Sequence, residues 1–137
     1  MISFFFDSGL LVLIWIVQLI IYPSFKHYTL EDLKKWHPSY TQRIALVVIP
    51  LMFGQLIFGI YELLNAITLL SVVKIILISL VWILTFTIFV PLHKAIDKSN
   101  NTENITVKLV QKNWSRTIIW TLIFLIGLVA SIKPYLF

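Results

Sequence analysis

The sequence predicts an all-α polytopic membrane protein: an antiparallel bundle of four transmembrane helices, with a short cytoplasmic interfacial helix. Three observations predict it. Of 137 residues, 59% are hydrophobic and only 12% are charged. Soluble domains run at about 45–50% and about 25% respectively. Mean hydropathy is +0.93. The apolar residues gather into four runs close to the length of about 20 that spans a bilayer. Finally, Lys and Arg crowd the connections on one side of those runs. The chain reads as a single domain, 1–137, with spans at about 4–22, 44–64, 70–90 and 114–132.

The first span is apolar apart from Asp7, Ser8, Gly9 and Gln18. A cleaved secretory signal is not expected, because no Lys or Arg precedes the run and no small-x-small site follows it. Pro23 should end the span, since proline cannot continue a helix interior. In 23–40, Thr29 and Asp32 have the spacing of a capping box. Leu30, Leu33, Trp36 and His37 fall on one face, with Glu31, Lys34 and Lys35 mostly on the other. That pattern predicts a helix over 29–36 lying along the membrane surface, with Leu33 and Trp36 turned toward the bilayer.

The second span contains Pro50 and is expected to kink there. Residues 65–68 form the turn to the third span, which Pro91 should end, leaving 94–104 as a polar loop. A helical pattern resumes at Ile105 and runs into the fourth span. Lys108, Lys112 and Arg116 then share one face.

Basic residues near span ends set orientation. The side of the two polar connections holds Lys26, Lys34, Lys35, Arg43, Lys94, Lys98, Lys108, Lys112 and Arg116, against Lys74 and Lys133 opposite. The polar side is therefore expected to face the cytoplasm of a bacterial inner membrane, with both termini outside. Sequons at Asn100, Asn104 and Asn113 would then escape glycosylation. The net charge of +5 fits attraction to anionic headgroups, and membrane lipids rather than nucleic acid are the expected partners. With no cysteine present, disulfides, thiolate metal sites and Cys nucleophiles are excluded.

Chemistry-bearing residues collect at the polar end. His27, His37 and His93 all fall there, near Tyr22, Trp36, Tyr40, Arg43, Asn113, Trp114 and Arg116. Asn113, Thr117 and Thr121 recur every four residues on the fourth helix. Trp82, Phe86, Phe89 and His93 form a stripe on the third. Facing each other, the two stripes would line a pocket open to the cytoplasm. Its expected catalytic residue is His93, a general acid or base. Arg43, Asn113, Arg116, Thr117, Trp120, Tyr40 and His37 are the expected ligand-binding residues, and no metal site is expected. A plainer reading stands beside this one. Tyr, Trp, Lys and Arg concentrate at interfaces in any polytopic protein, and membrane Thr often bonds its own helix backbone. Gln55 and Glu62 read as structural, Gln55 partnered by Gln18 or a third-helix Thr and Glu62 by Lys74.

The stretches "VPLHKAI", 90–96, and "LVQKNWSRTIIW", 109–120, resemble a pattern of small bacterial four-span proteins of unassigned function. They bear a distant likeness to anthrone-oxygenase-like membrane proteins. The resemblance covers roughly residues 20–121. It implies that Pro91, Leu92, His93, Asn113, Trp114, Arg116, Thr117 and Trp120 matter, and it implies no reaction.

Three functions follow as expectations. The first is a pocket for a small amphipathic or aromatic ligand, such as a quinone, an isoprenoid lipid or a polyketide-like compound, with membrane enzyme activity as its extension. The second is a non-catalytic small subunit or homo-oligomeric assembly unit. The third is a haem or metal-binding redox protein using His37 and His93; the cofactor is otherwise unassigned. A transporter is disfavoured by the lack of a charge at mid-bilayer.

Overall fold

The computed structural model describes the backbone of residues 2–136 and the side chains through Ile132. It contains four helices, each long and apolar enough to cross a membrane. They are α1 (Ile2–His27), α2 (Leu30–Asn65), α3 (Leu69–Lys98) and α4 (Glu103–Leu136). Short connections make neighbours antiparallel, and α1 and α3 each pack against both α2 and α4. The connections 28–29 and 99–102 lie at one end, where Lys34 Nζ donates to Asn100 Oδ1 at 3.1 Å. The connection 66–68 lies at the other, closed by a capping box between Thr68 and Ser71.

The bundle has an apolar core that includes Leu10, Ile78 and Ile123, but it also exposes large apolar residues and buries polar ones. Phe5, Leu46, Ile57, Leu64 and Phe86 face outward, while Asp7, Gln18, His37, Gln55, Lys74, Asn113 and Arg116 are buried. So much outward apolar surface suits lipid, and buried polar groups in such a setting must satisfy one another.

Three expectations from the sequence are corrected. No separate interfacial helix exists at 29–36. Thr29 caps a single helix of 36 residues that begins at Leu30 and continues through Pro38 and Pro50. At 1.5 Å per residue α2 is about 54 Å long, well beyond a hydrocarbon core of about 30 Å, so its first turns stand proud of the bilayer. Leu33 is buried within the bundle instead of facing lipid, and Trp36 is half exposed.

Pro23 and Pro91 do not end their helices. Each follows a π turn, Val17–Ile21 and Thr85–Phe89, in which the next N–H reaches back five residues, Tyr22 to Val17 and Val90 to Thr85. The wider turn shifts the carbonyl that a proline ring would otherwise strike. The helix then continues, to His27 in α1 and to Lys98 in α3. Much of the expected 94–104 loop is therefore helix, and Asp97 stands one turn beyond His93 on the same face.

The third correction concerns α4. Lys108 and Lys112 are exposed but Arg116 is buried, because a row of residues four apart drifts around the helix and here passes from solvent into the bundle.

Candidate functional site

A cavity of about 430 Å³ lies between α2 and α3 in the half of the bundle nearest the basic connections. The π turn of α3 borders it. Farther along, the two helices pack tightly: a Cβ on Gly59 would come within 2.8 Å of Ile78. They meet again at the polar end, where His37 Nδ1 lies 2.6 Å from an Asp97 carboxylate oxygen. Between these contacts they part. Ile49, Phe53 and Phe86 line the gap and are each about half exposed or more, so the mouth opens sideways onto the acyl chains. Trp82, Phe89, Met52 and Trp120 form the apolar walls. Phe53 and Trp82 pack edge-to-face at 5.0 Å.

The polar end of the cavity is built around Arg116. Its Nε and Nη2 donate to Asn113 Oδ1 at 2.9 and 2.6 Å, and Nη2 also donates to Tyr22 Oη at 2.9 Å. The guanidinium carbon sits 3.4 Å from the centre of the Phe89 ring. Asn113 is fixed in turn: its amide donates to Gln18 Oε1 at 2.9 Å, and Thr117 Oγ1 donates to the same oxygen at 3.3 Å. Gln18 lies in the π turn of α1. Arg116 therefore spends its Nε and Nη2 on the protein. Its Nη1 has no hydrogen-bond partner among the described residues, and Arg116 lines the cavity. No carboxylate among the described residues forms an ion pair with it.

From Arg116 a single file of hydrogen bonds runs toward the polar connections. Tyr22 Oη lies 3.0 Å from His93 Nε2, His93 Nδ1 lies 2.9 Å from His37 Nε2, and His37 Nδ1 reaches Asp97 at 2.6 Å. The two imidazoles stack at 5.0 Å with 25° between planes. Proton positions in the file depend on the tautomers of the two imidazoles. Arginine can only donate and an ionised carboxylate can only accept. With both imidazoles neutral, Tyr22 donates to His93, His93 to His37, and His37 to Asp97. Every donor is used and every arrow points toward Asp97, whose side chain is 33% exposed.

The sequence-derived residues divide accordingly. Tyr40, His93, Arg116 and Trp120 line the cavity. His37, Asn113 and Thr117 stand behind them as supports. Arg43 does not belong: it is exposed and lies 5.9 Å over the Trp36 ring. The third-helix stripe of Trp82, Phe86, Phe89 and His93 does line the cavity. The fourth-helix stripe does not; Thr121 accepts a hydrogen bond from Trp15 Nε1 at 3.2 Å. His93 connects to Arg116 through Tyr22, and it makes no direct hydrogen bond to Asn113. Phe89, rather than Trp120 at 5.9 Å, is the ring nearest the guanidinium.

Sequence reasoning left Tyr22 as a neighbour and Asp97 in a loop. The spacing of His93 and Asp97, four residues apart, was the available signal, hidden by the assumption that Pro91 ends the helix. Among the described residues, no group of three or more His, Asp or Glu side chains is arranged to hold a metal ion.

A second polar cluster occupies the opposite half of the bundle. Lys74 Nζ pairs with Asp7 at 2.7 Å and Glu62 at 3.0 Å, and donates to Ser3 at 2.7 Å. Gln55 bridges Asp7, at 2.8 Å, and Trp120 Nε1, at 3.1 Å. The pairing of Glu62 with Lys74 agrees with the sequence reading. Gln55 instead takes partners the sequence reading did not foresee. Lys74 and Asp7 are both buried, so this end of the bundle holds charged residues away from solvent.

The chain matches no known protein family, no curated protein and no solved structure. The fold and the geometry of its polar chain are what bear on function.

Proposed function

We propose that this is an integral membrane protein that binds a small, flat amphipathic ligand in the cavity between α2 and α3, admits it sideways from the bilayer, and exchanges a proton with its polar head. One observation carries the reading: a buried arginine with an unspent guanidinium nitrogen stands at the end of an aromatic-walled cavity. A volume of about 430 Å³ falls within the range of about 300–1,000 Å³ usual for small-molecule sites. Aromatic walls favour a ring system such as a quinone or a polyketide-like aromatic over a flexible isoprenoid chain. Tyr22 and His93 touch the cavity and are the acid–base pair; Arg116 holds the ligand's oxygen. The resemblance of 90–96 and 109–120 to small bacterial four-span proteins of unassigned function supports a part for His93 and Arg116.

Orientation is part of the proposal. The basic connections place the Asp97 end in the cytoplasm of the inner membrane, with both termini outside. Cysteine introduced at Asn101 should be shielded from an impermeant thiol reagent in sealed cells, and cysteine at Ile67 should react.

Binding is tested by tryptophan fluorescence, since Trp82 and Trp120 line the cavity. Protein in detergent titrated with 1,4-naphthoquinone should show saturable quenching that Trp82→Phe diminishes. Quenching that rises without saturation, equally in both proteins, would dispose of the site.

A further inference from the structure

Arg116 and Asp97 present an unusual separation of opposite charges. Both belong to one polar chain, yet Tyr22, His93 and His37 stand between them. A buried cation with no anion in contact carries a large desolvation cost. Lys74, also buried, has two carboxylates within 3.0 Å. Arg116 hydrogen-bonds to Asn113 and Tyr22, lies against the Phe89 ring and lines the cavity, with no carboxylate paired to it among the described residues. An anion on a ligand in the cavity would supply that partner. The chain that begins at the same guanidinium leads a proton away.

Resting on the binding reading above, we infer that the ligand is a weakly acidic aromatic alcohol, a phenol or enol, held as its oxyanion against Arg116, and that its proton leaves through Tyr22, His93 and His37 to Asp97. The transfer balances without a redox partner. Tyr22 Oη–H passes its proton to His93 Nε2, His93 Nδ1–H passes its own to His37 Nε2, and His37 Nδ1–H passes its own to Asp97. Tyr22 is left as phenolate beside Arg116 and takes the proton of the ligand hydroxyl. The ligand becomes an anion on Arg116, and the protonated Asp97, partly exposed, releases its proton to water. Each imidazole ends neutral with its protons moved from one nitrogen to the other, and a return to the starting tautomers by ring flip or by a second proton passage resets the file. The charged and titratable groups that line the cavity are Tyr22 of α1, Tyr40 of α2, His93, Lys94 and Asp97 of α3 and Arg116 of α4. Of these, Asp97 alone is a carboxylate. A ligand that arrives already ionised, such as a fatty-acid carboxylate, would need the arginine but would have no use for the relay.

The test uses 1-naphthol and its methyl ether, 1-methoxynaphthalene, with the full-length protein in detergent. Both should bind. Only naphthol should develop the red-shifted absorption of its anion on binding, below the pH at which it ionises free in solution. A pH indicator in weakly buffered medium should record one proton released per site. Asp97→Asn should slow that release by about a hundredfold, the scale of a lost acid–base step, while Asp97→Glu restores it; binding of the methyl ether reports whether each variant keeps its pocket. If both compounds bind and naphthol stays neutral, the inference falls and the binding reading stands. If Asp97→Asn binds both and releases the proton at the wild-type rate, the relay is wrong. Should neither compound bind the wild-type protein, the inference falls, and the naphthoquinone titration decides whether the binding reading falls with it.

Discussion

The two buried polar clusters use similar residue types to opposite ends. At one end of the bundle Asp7, Lys74 and Glu62 meet directly, at 2.7 and 3.0 Å, and Gln55 and Ser3 complete the shell. At the other end Arg116 and Asp97 are kept apart by Tyr22, His93 and His37, three groups that can each donate and accept. A direct pair satisfies its charges and leaves nothing for a ligand. Separated charges leave one cation facing a cavity and one carboxylate facing water. Under the proposed reading, the difference is one of work assigned: contact between opposite charges makes a structural clip, and separation across groups that can relay a proton makes a site.

That division can be broken by substitution. The largest effect is expected from Lys74→Met, which strands Asp7 as a buried carboxylate held only by Gln55. The bundle should lose about 3–5 kcal/mol, the cost of breaking a buried pair, read as a fall in the thermal or denaturant midpoint. The double change Asp7→Leu with Lys74→Met should recover much of it. If Lys74→Met instead leaves stability intact and abolishes ligand binding, the clip belongs to the site and the comparison fails. Tyr22→Phe comes next. It removes one hydroxyl that joins Arg116 to His93, so stability should fall by only about 1–3 kcal/mol. Proton release on naphthol binding should slow by about a hundredfold.

Arg116→Lys sharpens the point. An ammonium keeps the charge but cannot fork to Asn113 and Tyr22 while lying flat on Phe89. Ligand affinity should drop about tenfold, equivalent to about 1.4 kcal/mol, and the unpaired Asn113 and Tyr22 oxygens should lower stability by no more than about 1–3 kcal/mol. Equal affinity in wild type and Arg116→Lys, measured by the same titration, would show that only charge matters there. The smallest effect is expected from Arg43→Ala. Its side chain is exposed and meets only Trp36, so stability and binding should both stay within about 0.5 kcal/mol of wild type.

Hydropathy made the four spans legible, and the spacing of Trp82, Phe86, Phe89 and His93 made one wall of the cavity legible. Asn113 and Arg116 were also readable as partners, being three apart on one helix. What the sequence concealed came from its prolines. Read as helix breakers, Pro23 and Pro91 cut α1 and α3 short, and Tyr22 and Asp97 were left without neighbours. The π turns that tolerate those prolines depend on backbone hydrogen-bond register, which residue periodicity does not carry. Pairings between distant helices were hidden for another reason. Asp7 with Lys74, and His37 with Asp97, require knowing how each helix is rotated against its neighbours, and the nearly uniform hydrophobicity of such helices gives little rotational signal.

The sideways mouth between Ile49, Phe53 and Phe86 has a consequence for how occupancy is counted. A ligand that arrives through acyl chains is drawn from the membrane phase, where an apolar compound concentrates far above its aqueous level. Its mole fraction in lipid, and not its concentration in buffer, is then the variable that fills the cavity. Diluting the protein at a fixed ratio of compound to lipid should leave saturation unchanged. Adding empty vesicles at constant total compound should lower it. Two compounds with equal fit to the cavity walls will rank by how strongly each partitions into the bilayer.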